Sequence, residues 1–148
     1  MPMRGRTVDR SRPVGMIAER AAARWCGRRG WTVIARNLRR AGAEADLVLE
    51  SASKRLLVVV EVKALGGDRM HPAERVDAPK RRRLERLGAS LLSEPRRRGW
   101  RLRFDVLALR PRPWARPLVR HPALLRLPVL GDLAWRVEHI AGAWREGE

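Results

Sequence analysis

The sequence has little or none of several residue types, and each absence narrows the class of protein. Its 148 residues include one cysteine, no tyrosine and one phenylalanine. The single cysteine, Cys26, excludes an intramolecular disulfide and a zinc site built from cysteines. The longest aliphatic run, residues 56–60, is far shorter than the roughly 20 residues of a membrane-spanning helix. The first twelve residues are basic and polar, unlike a secretory signal, so we expect a cytoplasmic protein without a membrane contact.

Acidic residues are scarce as well. The sequence has 16 aspartates and glutamates but 33 lysines and arginines, which gives a formal net charge of +17. A chain this basic attracts polyanions, above all nucleic acids, through phosphate contacts. Residues 1–42 carry eleven basic and two acidic residues (+9), residues 79–120 carry fourteen and three (+11), and residues 43–78 carry five and seven (−2). An acidic segment thus lies between two basic ones, although simple scatter of surface charge also explains this pattern.

The length and an apolar content of 45% fit one domain with a packed core. We assign residues 1–13 to a basic N-terminal arm and residues 14–148 to one α/β domain, from which residues 110–128 form an irregular Pro/Arg-rich excursion. Hydrophobic periodicity predicts a helix over 14–29, strands over 31–38, 44–50 and 55–65, a helix over 78–93 and a strand over 100–109. The pattern of residues 132–144 fits a strand or a helix equally well.

The third predicted strand is the most informative part of the sequence. It is an almost continuous apolar run that carries Glu61 and Lys63 near its end. Such a run is typical of a central strand buried on both faces, and two residues spaced two apart share a face. Burying a carboxylate and an ammonium costs on the order of several kcal/mol unless other groups compensate. The two residues therefore indicate a functional site, although a simple ion pair between them is the alternative.

The preceding strand supplies a second carboxylate. A two-residue hairpin turn at Ser53-Lys54 places Asp46 opposite Glu61, whereas a slip of two residues places Glu44 there. All these carboxylates share a face in either register, and opposed side chains lie about 5 Å apart. Two carboxylates at this spacing suit one hard divalent cation. We therefore predict that Asp46 and Glu61 bind Mg²⁺ or Mn²⁺, with Lys63 beside the ion.

This combination of groups suits hydrolysis of a phosphodiester. A metal held by carboxylates acidifies water and neutralises charge that develops on the phosphate. Lys63 is expected to orient that water or to stabilise the transition state. Glu19 lies beside the apolar stripe of the first helix. It either projects toward Asp46 as an additional acid or is simply solvated.

Several spaced motifs resemble the YraN-like family of uncharacterised bacterial proteins, which is similar to the PD-(D/E)xK nuclease superfamily and, in fold, to Holliday-junction resolvases. The motifs are residues 44–48 (EADLV), 60–63 (VEVK), 103–106 (RFDV) and 139–140 (HI). The resemblance implies a restriction-endonuclease-like mixed β-sheet flanked by helices in a single α/β domain. It also implies a divalent-metal site at Asp46 and Glu61, with Lys63 as the catalytic lysine and Glu19 as an acid on the first helix.

Basic residues further along the chain are candidates for contact with nucleic acid. The resemblance implies that Lys80 and Arg103 face phosphates or support the structure, and that Asp105 secures the sheet. The arginines at 81, 82 and 83 (Arg81, Arg82, Arg83) form a solvated helix face or follow a phosphate backbone. Trp114, between Pro113 and Ala115 in the basic excursion, is the one tryptophan that we consider for contact with nucleic acid.

This member of the family also departs from the usual motif. Ala64 and Leu65 follow the lysine, where the family has threonine or serine and then arginine, so a hydroxyl and a cation are missing beside the site. The leading hypothesis is a metal-dependent endonuclease for DNA rather than RNA, acting on branched or structured DNA. The alternative is a non-catalytic or degenerate module of the same fold that binds DNA or RNA. The oligomeric state, a homodimer included, stays open.

Overall fold

A computed structural model of the protein describes residues 11–64, 76–119, 121 and 123–147. The elements within these ranges are α1 (Ser11–Arg28), β1 (Thr32–Arg40), β2 (Ala43–Ser51), β3 (Leu56–Ala64), α2 (Ala78–Leu92), β4 (Arg101–Pro111), α3 (Arg116–Val119), α4 (Pro128–Leu133) and β5 (Trp135–Trp144). Short 3₁₀ helices span Pro95–Arg97, Pro113–Ala115 and Leu124–Arg126. The predicted α/β fold, a mixed sheet flanked by helices in one domain, is confirmed.

The five strands form one sheet in the order β1-β2-β3-β4-β5. Strands β3 and β4 are parallel and every other pair is antiparallel. Parallel neighbours need a long crossover connection, and the segment that contains α2 supplies it. Strand β3 therefore lies at the centre of the sheet, where its valines 58–60 are buried on both faces. This is the position that its apolar run predicts.

The two long helices cover opposite faces of the sheet. Helix α1 buries an alanine-rich stripe with Ile17 and Cys26 against Val58 and Val60 of β3. Helix α2 packs its buried leucines against the face that presents Val59. Alternate residues of β3 therefore point toward α1 and α2, because side chains of a strand alternate between faces.

Two hairpin turns set the register of the first three strands. Ala41 and Gly42 join β1 to β2, and both have positive φ (53° and 74°), as a two-residue type I′ turn requires. Between β2 and β3 the Arg55 N–H donates to the Ala52 carbonyl at 3.1 Å, so the turn is centred on residues 53 and 54 as predicted. The strands pair from Ser51↔Leu56 to Leu47↔Val60. This is the register that sets Asp46 opposite Glu61.

Some element boundaries differ from the prediction. Helix α1 begins at Ser11, inside the expected arm, while residues 1–10 lie outside the described part of the chain. Strand β4 extends to Pro111, and the described residues after it form short helices rather than an irregular excursion, because Ala115 and Leu125 insert into the core next to α1.

The C-terminal segment is the strand β5, which decides between the two alternatives left open by its pattern. Its first and last residues, Trp135 and Trp144, are buried. No helix in the described part of the chain is both long and apolar enough to cross a membrane.

Candidate metal and nucleic-acid site

The candidate site begins where β2 and β3 separate. Their backbone pairing ends at Leu47↔Val60, and the next residues are Asp46 and Glu61. The Val62 N–H, released from the ladder, donates to the Asp46 carboxylate at 2.8 Å. The side chain of Asp46 thus takes the place of a main-chain carbonyl as the acceptor for the Val62 N–H.

Glu61 lies on the α2 side of the sheet and is 3% exposed. Its Oε2 atom is buried and has no hydrogen-bond partner among the described residues. Buried polar atoms are almost always paired, so an unpaired carboxylate oxygen calls for an explanation. Glu61 is therefore the carboxylate of this site that has an unsatisfied hydrogen-bond acceptor.

The carboxylate of Asp46 is close enough to that of Glu61 for the two to affect each other electrostatically. Burial, followed by the negative charge of Glu61 and a side-chain contact with it, raises the pKa of Asp46 to about 7, while the hydrogen bond from the Val62 N–H opposes the shift. Two carboxylates that crowd each other in this way favour either a shared proton or a bound cation. Asp46 and Glu61, which the hairpin register sets opposite each other, thus interact in the structure.

Two lysines approach one oxygen of Glu61. The Lys80 ammonium donates to Oε1, and Lys63 Nζ lies 3.8 Å from the same atom. Lys80 is therefore the main partner of Glu61, and Lys63 is too distant for a hydrogen bond. The ion pair between Glu61 and Lys63 that the alternative expects is present at 3.8 Å, and Lys80 adds a closer one to the same oxygen.

Glu19 reaches the same region from α1. Burial raises its pKa, as do the nearby charges of Glu44 and Glu61, and a hydrogen bond from the Asn37 side chain opposes this. Asn37 adopts a positive φ of 49°, a conformation that asparagine tolerates better than most residues. The helix-borne acid is thus half-buried near the two strand carboxylates and is not simply solvated.

A cleft of about 330 Å³ opens beside these carboxylates. It is lined by Gly42, Ala43, Glu44, Asp46, Lys80, Arg83 and Leu84. Lys80 and Arg83, at the first turns of α2, give one wall a positive charge. Glu44 and Asp46 thus share the lining of the cleft with Lys80 and Arg83, and this mixture of charges suits a phosphate group and a cation together.

The three arginines after Lys80 have different surroundings. Arg81 is half-buried: its guanidinium donates to the Val76 carbonyl at 2.6 Å and lies over the Trp144 ring at 5.7 Å. Arg82 and Arg83 are exposed. Of the three, Arg82 and Arg83 are therefore the ones that solvent or a ligand can reach. Arg81 instead links α2 to Trp144 of β5.

Arg103 lies on the other face of the sheet from Glu61. Its guanidinium binds Asp105 with two hydrogen bonds of 2.8 and 2.7 Å. Asp105 also accepts the Gly142 N–H at 3.0 Å, and His139 Nε2 lies 2.7 Å away. Asp105 therefore secures β4 to β5, as the family resemblance implies, and Arg103 serves as its counter-ion.

The donor set at the cleft fits a hard divalent cation only in part. Asp46 and Glu61 offer carboxylate oxygens, one of which is unpaired, and such oxygens suit Mg²⁺. In the described residues no group of three histidine, cysteine, aspartate or glutamate side chains forms a complete ligand set. Mg²⁺ commonly keeps several waters and uses one or two carboxylates, so two protein ligands are sufficient for it.

Sequence reasoning missed the contact between Lys80 and Glu61. The two residues are separated by a segment that includes residues 65–75, which lie outside the described part of the chain. Only the fold brings the first turn of α2 over the end of β3. The sequence contained one weak signal, because Asp77 caps α2 by accepting the Lys80 N–H at 2.9 Å and thus fixes where the helix begins.

The fold and the cleft define an α/β protein of restriction-endonuclease-like architecture with a buried pair of carboxylates. Residues 18–109 match the model of the uncharacterised protein family UPF0102. This match spans most of the chain, from within α1 through the first three strands and α2 to near the end of β4. The chain belongs to this family, which is the YraN family that its motifs indicate.

Relatives with the same family name occur in diverse bacteria. A UPF0102 protein of Symbiobacterium thermophilum is 40% identical over 70% of this chain and 86% of its own length. One from Parvibaculum lavamentivorans is 42% identical over 71% of this chain and 77% of its own length. A third, from Rhodopirellula baltica, is 38% identical over 70% of this chain, and the match spans 62% of that longer relative.

Proposed function

We propose that the protein is a divalent-metal-dependent nuclease that hydrolyses phosphodiester bonds in DNA, with branched or structured DNA as its substrate. The observation that supports this most is Glu61: a buried carboxylate with one oxygen that has no donor among the described residues, next to Asp46, which lines a cleft together with Lys80 and Arg83. A purely structural carboxylate would have its oxygens satisfied.

In this proposal each residue of the site has a distinct task. Asp46 and Glu61 hold Mg²⁺ or Mn²⁺ through their oxygens. When bound, the ion supplies Lewis-acid chemistry for attack of water on the phosphate. Lys63, whose side chain is about one third exposed, orients the attacking water or stabilises the charge that develops. Glu19, which burial makes a weaker acid than usual, accepts or relays a proton from that water.

The net charge of +17 supports a polyanionic substrate. Arg82 and Arg83 extend the basic rim along α2, and a second cleft of about 490 Å³ continues from the first along Arg39 and Arg40. Cations arranged along connected clefts suit a phosphate backbone better than a single small phosphate. Arg103 contributes to this surface at most weakly, since Asp105 already neutralises it.

A second candidate function is a nucleic-acid-binding module without catalysis. Two observations favour it: Lys80 already neutralises Glu61, and Ala64 and Leu65 replace polar residues that the resemblance leads us to expect beside Lys63. Such a module would bind DNA or RNA through the same basic rim, with the carboxylates serving only the fold.

Cleavage assays separate the two functions. The protein is incubated with linear, forked and four-way DNA, and with the matching RNA, in Mg²⁺, Mn²⁺ or EDTA. We expect metal-dependent cleavage, strongest on branched DNA, that Asp46→Asn abolishes while nucleic-acid binding in EDTA persists. Binding of all substrates without cleavage in either metal would favour the module instead.

A further inference from the structure

Glu61 meets more positive charge than one carboxylate needs. Lys80 donates to its Oε1 atom and Lys63 lies 3.8 Å from the same atom, while Oε2 has no partner among the described residues. The two lysines share one oxygen and leave the other without a donor among the described residues, on a carboxylate that also contacts Asp46.

The position of Lys80 also allows its side chain to move away from Glu61. It lies in the first turn of α2, its side chain is 34% exposed, and its aliphatic stem lines the same cleft as Arg83. A lysine ammonium is a compact charge on a flexible stem, so rotation of the side chain carries it from the buried carboxylate to the cleft opening. The helix itself stays fixed, because Asp77 caps it and its leucines are buried.

A divalent cation on Glu61 would lie close to the Lys80 ammonium, which is nearer to Glu61 than Lys63 is. The ammonium and the ion would share one carboxylate, and like charges at such short range repel strongly. We propose that Lys80 is a competing counter-ion: it neutralises Glu61 until a divalent cation binds, and then turns into the cleft to contact a substrate phosphate. This inference rests on the proposed nuclease function and adds a coupling between metal binding and substrate binding.

The coupling has a measurable size. A ligand that must displace a competing group binds with an apparent affinity reduced by the fraction of molecules in the competent state. If Lys80 holds Glu61 in about nine molecules of ten, its removal raises the affinity for the ion about tenfold. Lys80→Met keeps the apolar stem and removes the charge, so it is the variant of choice.

The test compares Mn²⁺ affinity, measured by calorimetry, in the parent, Lys80→Met, Lys80→Arg and Arg83→Met. Arg83→Met is the matched control, because it removes a charge from the same cleft without a contact to Glu61. We expect Lys80→Met to bind Mn²⁺ about tenfold more tightly than the parent, Lys80→Arg to resemble the parent, and Arg83→Met to change little. Equal gains in Lys80→Met and Arg83→Met would overturn the proposal, because general repulsion would then explain both.

Thermal melts give a second readout that needs no activity. In EDTA, Lys80→Met leaves the buried Glu61 without its main partner, and we expect the melting temperature to fall by roughly 5 °C. Mn²⁺ should restore it and stabilise this variant more than the parent. A loss that Mn²⁺ does not reverse, with unchanged Mn²⁺ affinity, would show that Lys80 only supports the structure and would overturn the proposal.

Binding of DNA tests the second half of the proposal. With Ca²⁺ in place of Mg²⁺, we expect Lys80→Met to weaken DNA binding relative to the parent, and in EDTA we expect no difference. An equal loss in both buffers would contradict the coupling.

The same titrations distinguish failure of this inference from failure of the proposed function. If the parent and all variants bind Mn²⁺ with the same affinity, only the counter-ion role of Lys80 is wrong. If none of them binds Mn²⁺, the proposed nuclease function fails and the counter-ion role fails with it.

Discussion

Two buried carboxylates on neighbouring strands, Glu61 of β3 and Asp105 of β4, have opposite surroundings. They are 3% and 1% exposed, respectively, so burial does not distinguish them. Asp105 meets four donor groups, two from Arg103 and one each from His139 and Gly142, at 2.7–3.0 Å. Glu61 meets two ammoniums on one oxygen and, among the described residues, no partner on the other.

The difference separates a carboxylate whose two oxygens are both paired from one that keeps an oxygen without a partner among the described residues. Asp105 faces the α1 side, where its donors come from β4 and β5 and join the two strands. Glu61 faces the α2 side, where β2 and β3 separate and a cleft admits solvent. A fully satisfied buried charge stabilises its surroundings, whereas a partly satisfied one costs stability that function must justify.

The largest effect is expected at the structural carboxylate. Asp105→Asn removes the charge that balances Arg103 and turns one acceptor into a donor facing donors. We expect the free energy of unfolding to fall by about 3–5 kcal/mol, with no recovery in Mg²⁺. Urea denaturation measures this. Asp132→Asn is the control, because its partners Arg24 and Arg28 are more exposed and its loss should be about 1 kcal/mol. Equal losses of stability in Asp105→Asn and Asp132→Asn would show that the buried carboxylate of Asp105 contributes no more than an ordinary surface ion pair.

The next effect concerns the pH dependence of the site. The pKa of Asp46 is raised to about 7 in the folded protein, above its value of about 3.9 in an unfolded chain. The folded state therefore gains from the protonated form at low pH and loses this as pH rises through about 7. Relative to Asp46→Asn, which does not titrate, the parent in EDTA should lose on the order of a few kcal/mol between about pH 4 and 8.

Denaturation of both proteins across this range measures the difference in their free energies of unfolding. Addition of Mg²⁺ should reverse the loss at the upper end, because the ion stabilises the ionised pair. A parent that gains stability over Asp46→Asn as pH rises would show that Asp46 is held as an ordinary ionised carboxylate.

A smaller effect is expected at Glu61. Glu61→Gln removes a charge but also relieves the repulsion from Asp46, and both lysines are about one third exposed and can turn to solvent. We expect a change of at most about 1 kcal/mol in the free energy of unfolding in EDTA. A loss as large as that of Asp105→Asn, unaffected by Mg²⁺, would make Glu61 a structural residue too.

The smallest effect concerns the basic rim. Arg82→Ala with Arg83→Ala should flatten the dependence of DNA affinity on salt by roughly two phosphate contacts, without a change in stability. The control pair is Arg126→Ala with Arg136→Ala, two exposed residues outside the cleft. Fluorescence anisotropy at several salt concentrations measures the slopes. Equal slopes for both pairs would show that α2 is not part of the binding surface.

The fold was predictable to the extent that local pattern determines it. The apolar run of β3 and the hydrophobic periodicity of α2 placed both elements to within a residue or two. The end of β4 and the nature of β5 were not predictable, because packing of isolated apolar residues such as Leu125 decides them. No periodicity in the segment 110–128 indicates which of its residues enter the core.

The carboxylate pair was predictable because it depends on hairpin register alone. Parity and a two-residue turn placed Asp46 opposite Glu61 without knowledge of the rest of the fold. The partnership of Glu61 with Lys80 depends on how α2 crosses the sheet, which no local rule gives. Arg81 illustrates the same limit, since the sequence groups it with Arg82 and Arg83 but the fold makes it structural.

The central claim is that Asp46 and Glu61 form a cation site, and a Mg²⁺ titration tests it most directly. Calorimetry at about pH 7.5 on the parent and on Glu61→Gln requires no substrate and no activity. The account predicts one ion bound per parent chain and an affinity at least about tenfold lower in Glu61→Gln, a loss of about 1.4 kcal/mol or more. A parent that binds no ion, or a variant that binds it equally well, would contradict the claim.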